Sequence, residues 1–222
     1  WYVADDLLRA LCMEPLPPNA PLTTLARKFA AMRRTKKITS SLRRLLEESR
    51  SVYEIAPDNR GLQRRIDLAL ARQTDQAEGF AMAAGRPAAR QHLANARVKL
   101  FTLRPEPGVA YAEAIRAVEA VANPILISRH PFPTLSLARD HLRDAAATYE
   151  FAIPNKQGAP GDVAVVVEML STLCGGHSDR HAGGPSNLPV SQESAEAAFG
   201  LAVTLVTWFS AGAVRRRVTG GK

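Results

Sequence analysis

Through most of the chain apolar residues return every three or four positions, the spacing that gives a helix one buried stripe. The longest such run is the last. Ala195, Ala198, Phe199, Ala202, Leu205, Val206 and Phe209 share one face of a helix predicted over Ser191–Arg217. Ser191 is placed to cap that helix, and Glu193 and Glu196 lie near its positive end. The same period predicts helices over Tyr111–Ile127, Leu135–Phe151 and Asp162–Cys174, and a long one over Ala77–Leu103 that Gly85-Arg86-Pro87 can break. Shorter runs predict Val3–Cys12, Leu22–Arg34 and Ser40–Ser49, with Pro15, Pro17, Pro18 and Pro21 punctuating the first gap. One stretch changes period. Between Ser51 and Ile66, Tyr53 and Ile55 alternate with polar neighbours, and Pro57-Asp58-Asn59 with Gly61 supplies a turn, so a β-hairpin is expected. The expected fold is mainly α: a helical bundle over residues 75–222, preceded by a small basic helical region, 1–74, with the hairpin near 51–66.

Charge sharpens this picture. The net charge is +8, and no acid stands between Pro15 and Leu46, while Arg27, Lys28, Arg33, Arg34, Lys36, Lys37, Arg43 and Arg44 supply eight cations there. Such a segment can bind nucleic acid through counterion release, or it can be a set of solvated helix faces. Phe29 is its sole aromatic, which argues against stacking on single-stranded bases. A second cluster, Arg215-Arg216-Arg217, closes the last predicted helix and complements its negative end. No window of about 18 uninterrupted apolar residues exists, so no membrane span is expected. Cys12 and Cys174 are far apart and form no metal-type pair, which fits free thiols in a cytoplasmic protein with no metal or cofactor. No phosphate-binding glycine loop, dinucleotide fingerprint, nucleophile elbow or His-Glu-x-x-His run is present.

Chemistry gathers in one loop. Gly175–Gly184, between two patterned helices, brings His177, Asp179, Arg180 and His181 into five positions. An imidazole that exchanges protons near neutral pH beside a fixed cation is equipment for phosphodiester chemistry. The paired glycines let such a loop turn tightly. Glu119 is the other anomaly, a carboxylate on the same helical face as Ile115, Val118 and Ala122. It needs a partner. Arg180 is the first candidate, with Arg116 and Arg129 as local ones, and the pair either orients Arg180 in an active site or pins the loop to the bundle.

Tyr111-Ala-Glu-Ala-Ile-Arg-Ala-Val-Glu-Ala-Val, then Pro133-Thr-Leu135, then the Asp-Arg-His-Ala-Gly run, resembles in order and spacing bacterial abortive-infection proteins with a HEPN-like C-terminal helical bundle. The resemblance covers about residues 50–215 and includes the hairpin. It implies a HEPN-like bundle, a homodimer and a metal-independent ribonuclease in phage defence. It gives His181 the acid–base role and Arg180 the phosphate, with Asp179, His177 and Glu119 in support. In catalytic relatives the arginine and histidine are separated by several residues, whereas Arg180 and His181 are adjacent. Arg86 and His92 reproduce the separated spacing at the start of the long helix, as chance allows in an arginine-rich chain. The competing expectation is a non-catalytic module that binds nucleic acid or a protein through a structural Arg-His loop.

Overall fold

The structure, a computed structural model, describes residues 36–56, 59, 61–176 and 189–217. The helices expected over Val3–Cys12 and Leu22–Arg34 therefore lie outside the described residues, as do Arg27, Lys28, Arg33, Arg34, His177, Asp179, Arg180 and His181. The molecule is mainly helical. The chain divides into two compact units, one of residues up to Ile66 with Phe101–Pro105, the other of Asp67–Leu100 with Glu106 onward.

In the first unit a helix over residues 36–48 (α1) leads into the hairpin β1 (Tyr53–Ile55) and β2 (Leu62–Arg64). The strands pair antiparallel with Ile55 opposite Leu62. Asn59 makes the turn in the left-handed region at φ 58, a conformation its short polar side chain tolerates. Leu46, Ile55 and Leu62 form a small core that Leu42 flanks. Phe101 is buried under the Arg64 guanidinium, 5.5 Å from its ring centroid.

In the second unit Asp67 caps α2 (Leu68–Ala83) by accepting from the amides of Ala69 and Leu70. Gly85, at φ 70, turns the chain out of α2, and Pro87 opens α3 (Pro87–Phe101), so the long Ala/Arg-rich pattern becomes two helices. Then come α4 (Pro107–Leu126), α5 (Leu135–Asp144), α6 (Ala164–Gly175) and α7 (Gln192–Ser210). Helix α7 packs on both α2 and α4, and α4 also packs on α5. The seams carry Ala77 and Ala81 from α2, Ala114 and Ala117 from α4, and Ala195, Ala198 and Ala202 from α7. Such small side chains let helix axes approach closely, and Phe199, Leu205 and Val206 fill the space left.

Two predicted helices end early. The run over Leu135–Phe151 stops at Asp144, and Tyr149–Pro154 forms β3. Here Tyr149, Phe151 and Ile153 alternate with Glu150 and Ala152, the strand period, and Tyr149 and Phe151 are buried. The run over Ser191–Arg217 stops at Ser210, because Gly212 turns the chain at φ 71 and Val214–Arg216 returns as β5. Strand β3 pairs antiparallel with β5 and with the two-residue β4 (Pro160–Gly161), giving the sheet order β4-β3-β5. Arg215–Arg217 therefore do not serve a helix end. Arg215 Nε pairs with Glu150 Oε1 at 2.7 Å, Arg216 lies over the Tyr149 ring, and Arg217 Nε donates to the Tyr149 carbonyl.

Candidate functional site

Glu119 is half-buried on α4 and accepts the Leu135 amide at 2.8 Å. That N–H belongs to the first turn of α5, where no intrahelical acceptor exists. Thr134 Oγ1 accepts from Leu137 in the same turn, so a carboxylate and a hydroxyl together cap α5. The two sequence pieces carrying Glu119 and Leu135 are thus joined by a hydrogen bond. Of the cations considered as partners, Arg180 lies outside the described residues, Arg129 is exposed, and Arg116 is engaged by Glu113.

The described residues on either side of the Arg-His segment are firmly tied. Tyr111, buried on α4, donates its hydroxyl to the Leu173 carbonyl near the end of α6 at 3.0 Å. Burial, and after it the neighbouring Cys174 thiol, push the Tyr111 phenol above its ordinary range. A Cβ on Gly176 would overlap that hydroxyl, while Gly176 itself sits at φ −77. Glycine is needed at 176 for room, rather than for the tight turn read from the sequence. On the far side Ser191 caps α7 by accepting from Ser194, and Gln192 donates to the Leu100 carbonyl of α3 at 3.0 Å.

In the first unit Lys36, Lys37, Arg43 and Arg44 are all exposed on α1. Arg43 donates to Asn59 at 3.1 Å, and Arg44 faces Glu48 at 3.5 Å one turn on. The Arg44–Glu48 pair is exposed and contributes little to stability, and all four cations face solvent.

The most buried carboxylate of α4 is one the periodicity does not single out. Glu113 is 7% exposed. Its Oε2 takes a hydrogen bond from His92 Nδ1 at 2.8 Å and from Asn95 Nδ2 at 3.1 Å, both on α3, and Arg116 NH1 binds Oε1. Burial pushes the Glu113 carboxyl up, but the three hydrogen bonds outweigh it and hold the group below its ordinary range. On α3 the buried stripe is Ala89, Leu93, Ala96 and Leu100. His92 and Asn95 flank it toward α4. Arg90 and Arg97 flank it toward α2, where Arg97 meets Asp75 at 2.9 Å and both arginines approach Glu78 at 3.7 and 3.8 Å. Glu78 differs from Glu113: its Oε1 is buried without a hydrogen bond, and burial raises its pKa despite both arginines.

A single-face reading of α4 finds Glu119 and overlooks Glu113, because this helix is enclosed on several sides. Ala110, Ala114, Ala117 and Val121 surround Glu113 as thoroughly as Ile115, Val118 and Ala122 line the other face. The Arg86–His92 spacing points at His92 alone; Asn95, three residues on from His92, and Arg116, three on from Glu113, are the local signals that complete the cluster.

Among the described residues no helix is long and apolar enough to cross a membrane. No protein-family model, characterised protein or solved structure matches this chain.

Proposed function

We propose that this protein is an abortive-infection-type ribonuclease with a HEPN-like bundle, acting on RNA without a metal, as a homodimer, in phage defence. Arg180 holds the scissile phosphate and its developing charge. His181 transfers the proton as the RNA 2′-hydroxyl attacks, with His177 and Asp179 beside it. The observation that carries the reading is the Glu119–Leu135 hydrogen bond, which unites two of the three sequence pieces on which the resemblance rests. The described helices α6 and α7 stand on either side of the third piece. The exposed Lys36, Lys37, Arg43 and Arg44 add a surface on which a polyanion can lie.

The non-catalytic reading has its own support. Glu119 caps α5, which is a structural duty, and the adjacency of Arg180 and His181 departs from the catalytic spacing. Cleavage of RNA by the purified chain in EDTA separates the two readings. The ribonuclease reading expects 2′,3′-cyclic phosphate ends, with cleavage abolished in His181→Ala and Arg180→Ala. A folded wild-type chain that binds RNA and leaves it intact would establish the binding module instead.

A further inference from the structure

The cluster on Glu113 has no part in that reading, and it holds more donors than its carboxylate consumes. Glu113 spends both oxygens on protein, and at 7% exposure it presents almost none of its charge to solvent. Its basic partners face outward. The side chains of His92 and Arg116 are 31% and 56% exposed. One guanidinium N–H goes to Glu113, and the remaining four belong to an exposed group. With Nδ1–H given to the carboxylate, Nε2 is the nitrogen left for a ligand, and it donates when the ring carries a second proton. Arg90 and Arg97, on the opposite flank of α3, are drawn to Glu78 and Asp75, so the carboxylates of α2 have cations of their own.

With Glu113 enclosed, what the cluster presents to a ligand is the exposed Arg116 guanidinium and the partly exposed His92 ring, both rich in directed donors once the ring is protonated. A planar guanidinium fork next to an imidazolium N–H is a donor set suited to phosphate oxygens. Glu113 also limits the freedom each base would otherwise lose on binding, since both are already oriented.

We infer that His92 and Arg116, oriented by Glu113, form a binding subsite for a phosphoryl group on the α3–α4 face. The ligand is a phosphate oxyanion that bridges the Arg116 guanidinium and the Nε2–H of the His92 imidazolium. A free or terminal phosphate and the internal diester of a nucleic-acid backbone share this chemistry. Neither depends on the ribonuclease reading.

Imidazole ¹⁵N–¹H spectra of the full chain test the site, with His92 assigned by its disappearance in His92→Gln. Three probes serve: inorganic phosphate, a 2′-O-methyl oligoribonucleotide with a 5′-hydroxyl end, and the same oligonucleotide with a 5′-phosphate. A saturable shift of the His92 resonance is expected, with affinity at least about tenfold weaker in Arg116→Gln, the loss of a charged hydrogen bond. A shift with every probe means that any phosphoryl oxygen suffices. Response to phosphate and the 5′-phosphorylated probe alone means a terminal phosphate, and response to both oligonucleotides but not to phosphate means the backbone. If Arg116→Gln lowers the melting temperature, the wild type decides: sulfate must displace phosphate, and chloride at equal ionic strength must not. Should no probe move His92, or should Arg116→Gln that keeps its melting temperature bind as tightly as wild type, the cluster is only a clip between α3 and α4 and the inference is overturned.

Discussion

Two glutamates of the second unit show how differently burial acts on one side-chain type. Glu113 receives three hydrogen bonds and its carboxyl is held below the ordinary range. Glu78, with a buried oxygen that makes no hydrogen bond, is pushed above it. Charged Glu113 therefore stabilises the fold above its unfolded-state pKa, and that contribution is lost as the pH falls through the lower folded-state value. Charged Glu78 does the reverse, opposing folding near neutral pH and relenting in acid. Glu113→Gln should cost about 1–3 kcal/mol at pH 7, the range for giving up hydrogen bonds to a charged group. The gap from wild type should close in acid. Glu78→Gln should stay within about 1 kcal/mol of wild type at pH 7, or exceed it, since the raised pKa means that the charged form opposes folding. Urea unfolding of the three proteins at pH 7 and near pH 3 measures both trends, and equal losses in the two variants would contradict them.

At the scale of the element, local breaks and the Ser191 cap were legible, and the C-terminal ends of two helices were not. The Ser191 cap, the Gly85-Arg86-Pro87 break and the hairpin all follow from local chemistry that acts within a few residues. The overrun of α5 into β3 and of α7 into β5 has one cause. Val214-Arg-Arg is too short for either period to declare itself, the alternation over Tyr149–Ile153 runs on directly from a helical pattern, and pairing between the two segments makes them strands. The joint between α4 and α6 is likewise tertiary. Tyr111→Phe should cost about 1 kcal/mol through loss of the bond to Leu173. Gly176→Ala should cost more than that, because its methyl meets the Tyr111 hydroxyl, and less when Tyr111→Phe is already present. A thermal-unfolding double-mutant cycle with no coupling would show that the two residues do not meet.

For the whole molecule the decisive quantity is charge. Log affinity for a polyanion falls linearly with log salt, and the slope reflects how many phosphates are neutralised. If α1 lies on single-stranded RNA, Arg43→Glu with Arg44→Glu should lower the affinity and reduce that slope by about 0.7 for each phosphate left without its cation. Fluorescence anisotropy across a salt series measures it, and an unchanged slope would place the RNA elsewhere. The proposed homodimer is checked by light scattering on the same samples; a monomer at every concentration that still cleaves RNA would separate activity from assembly.

By itself the sequence determined the mainly helical class, the hairpin and the Ser191-capped start of α7, because each rests on spacing or on groups within a few positions of one another. It also located the exposed cations of α1, which need no partner to be recognised. Only the tertiary structure decided that Glu119 closes onto Leu135, that Glu113 is the enclosed carboxylate, and that His92 and Arg116 meet on it. The physical reason is that periodicity reports how much of a helix is covered, not which neighbour covers it. For α4, enclosed on several faces, each partner depends on where α3 and α5 pack.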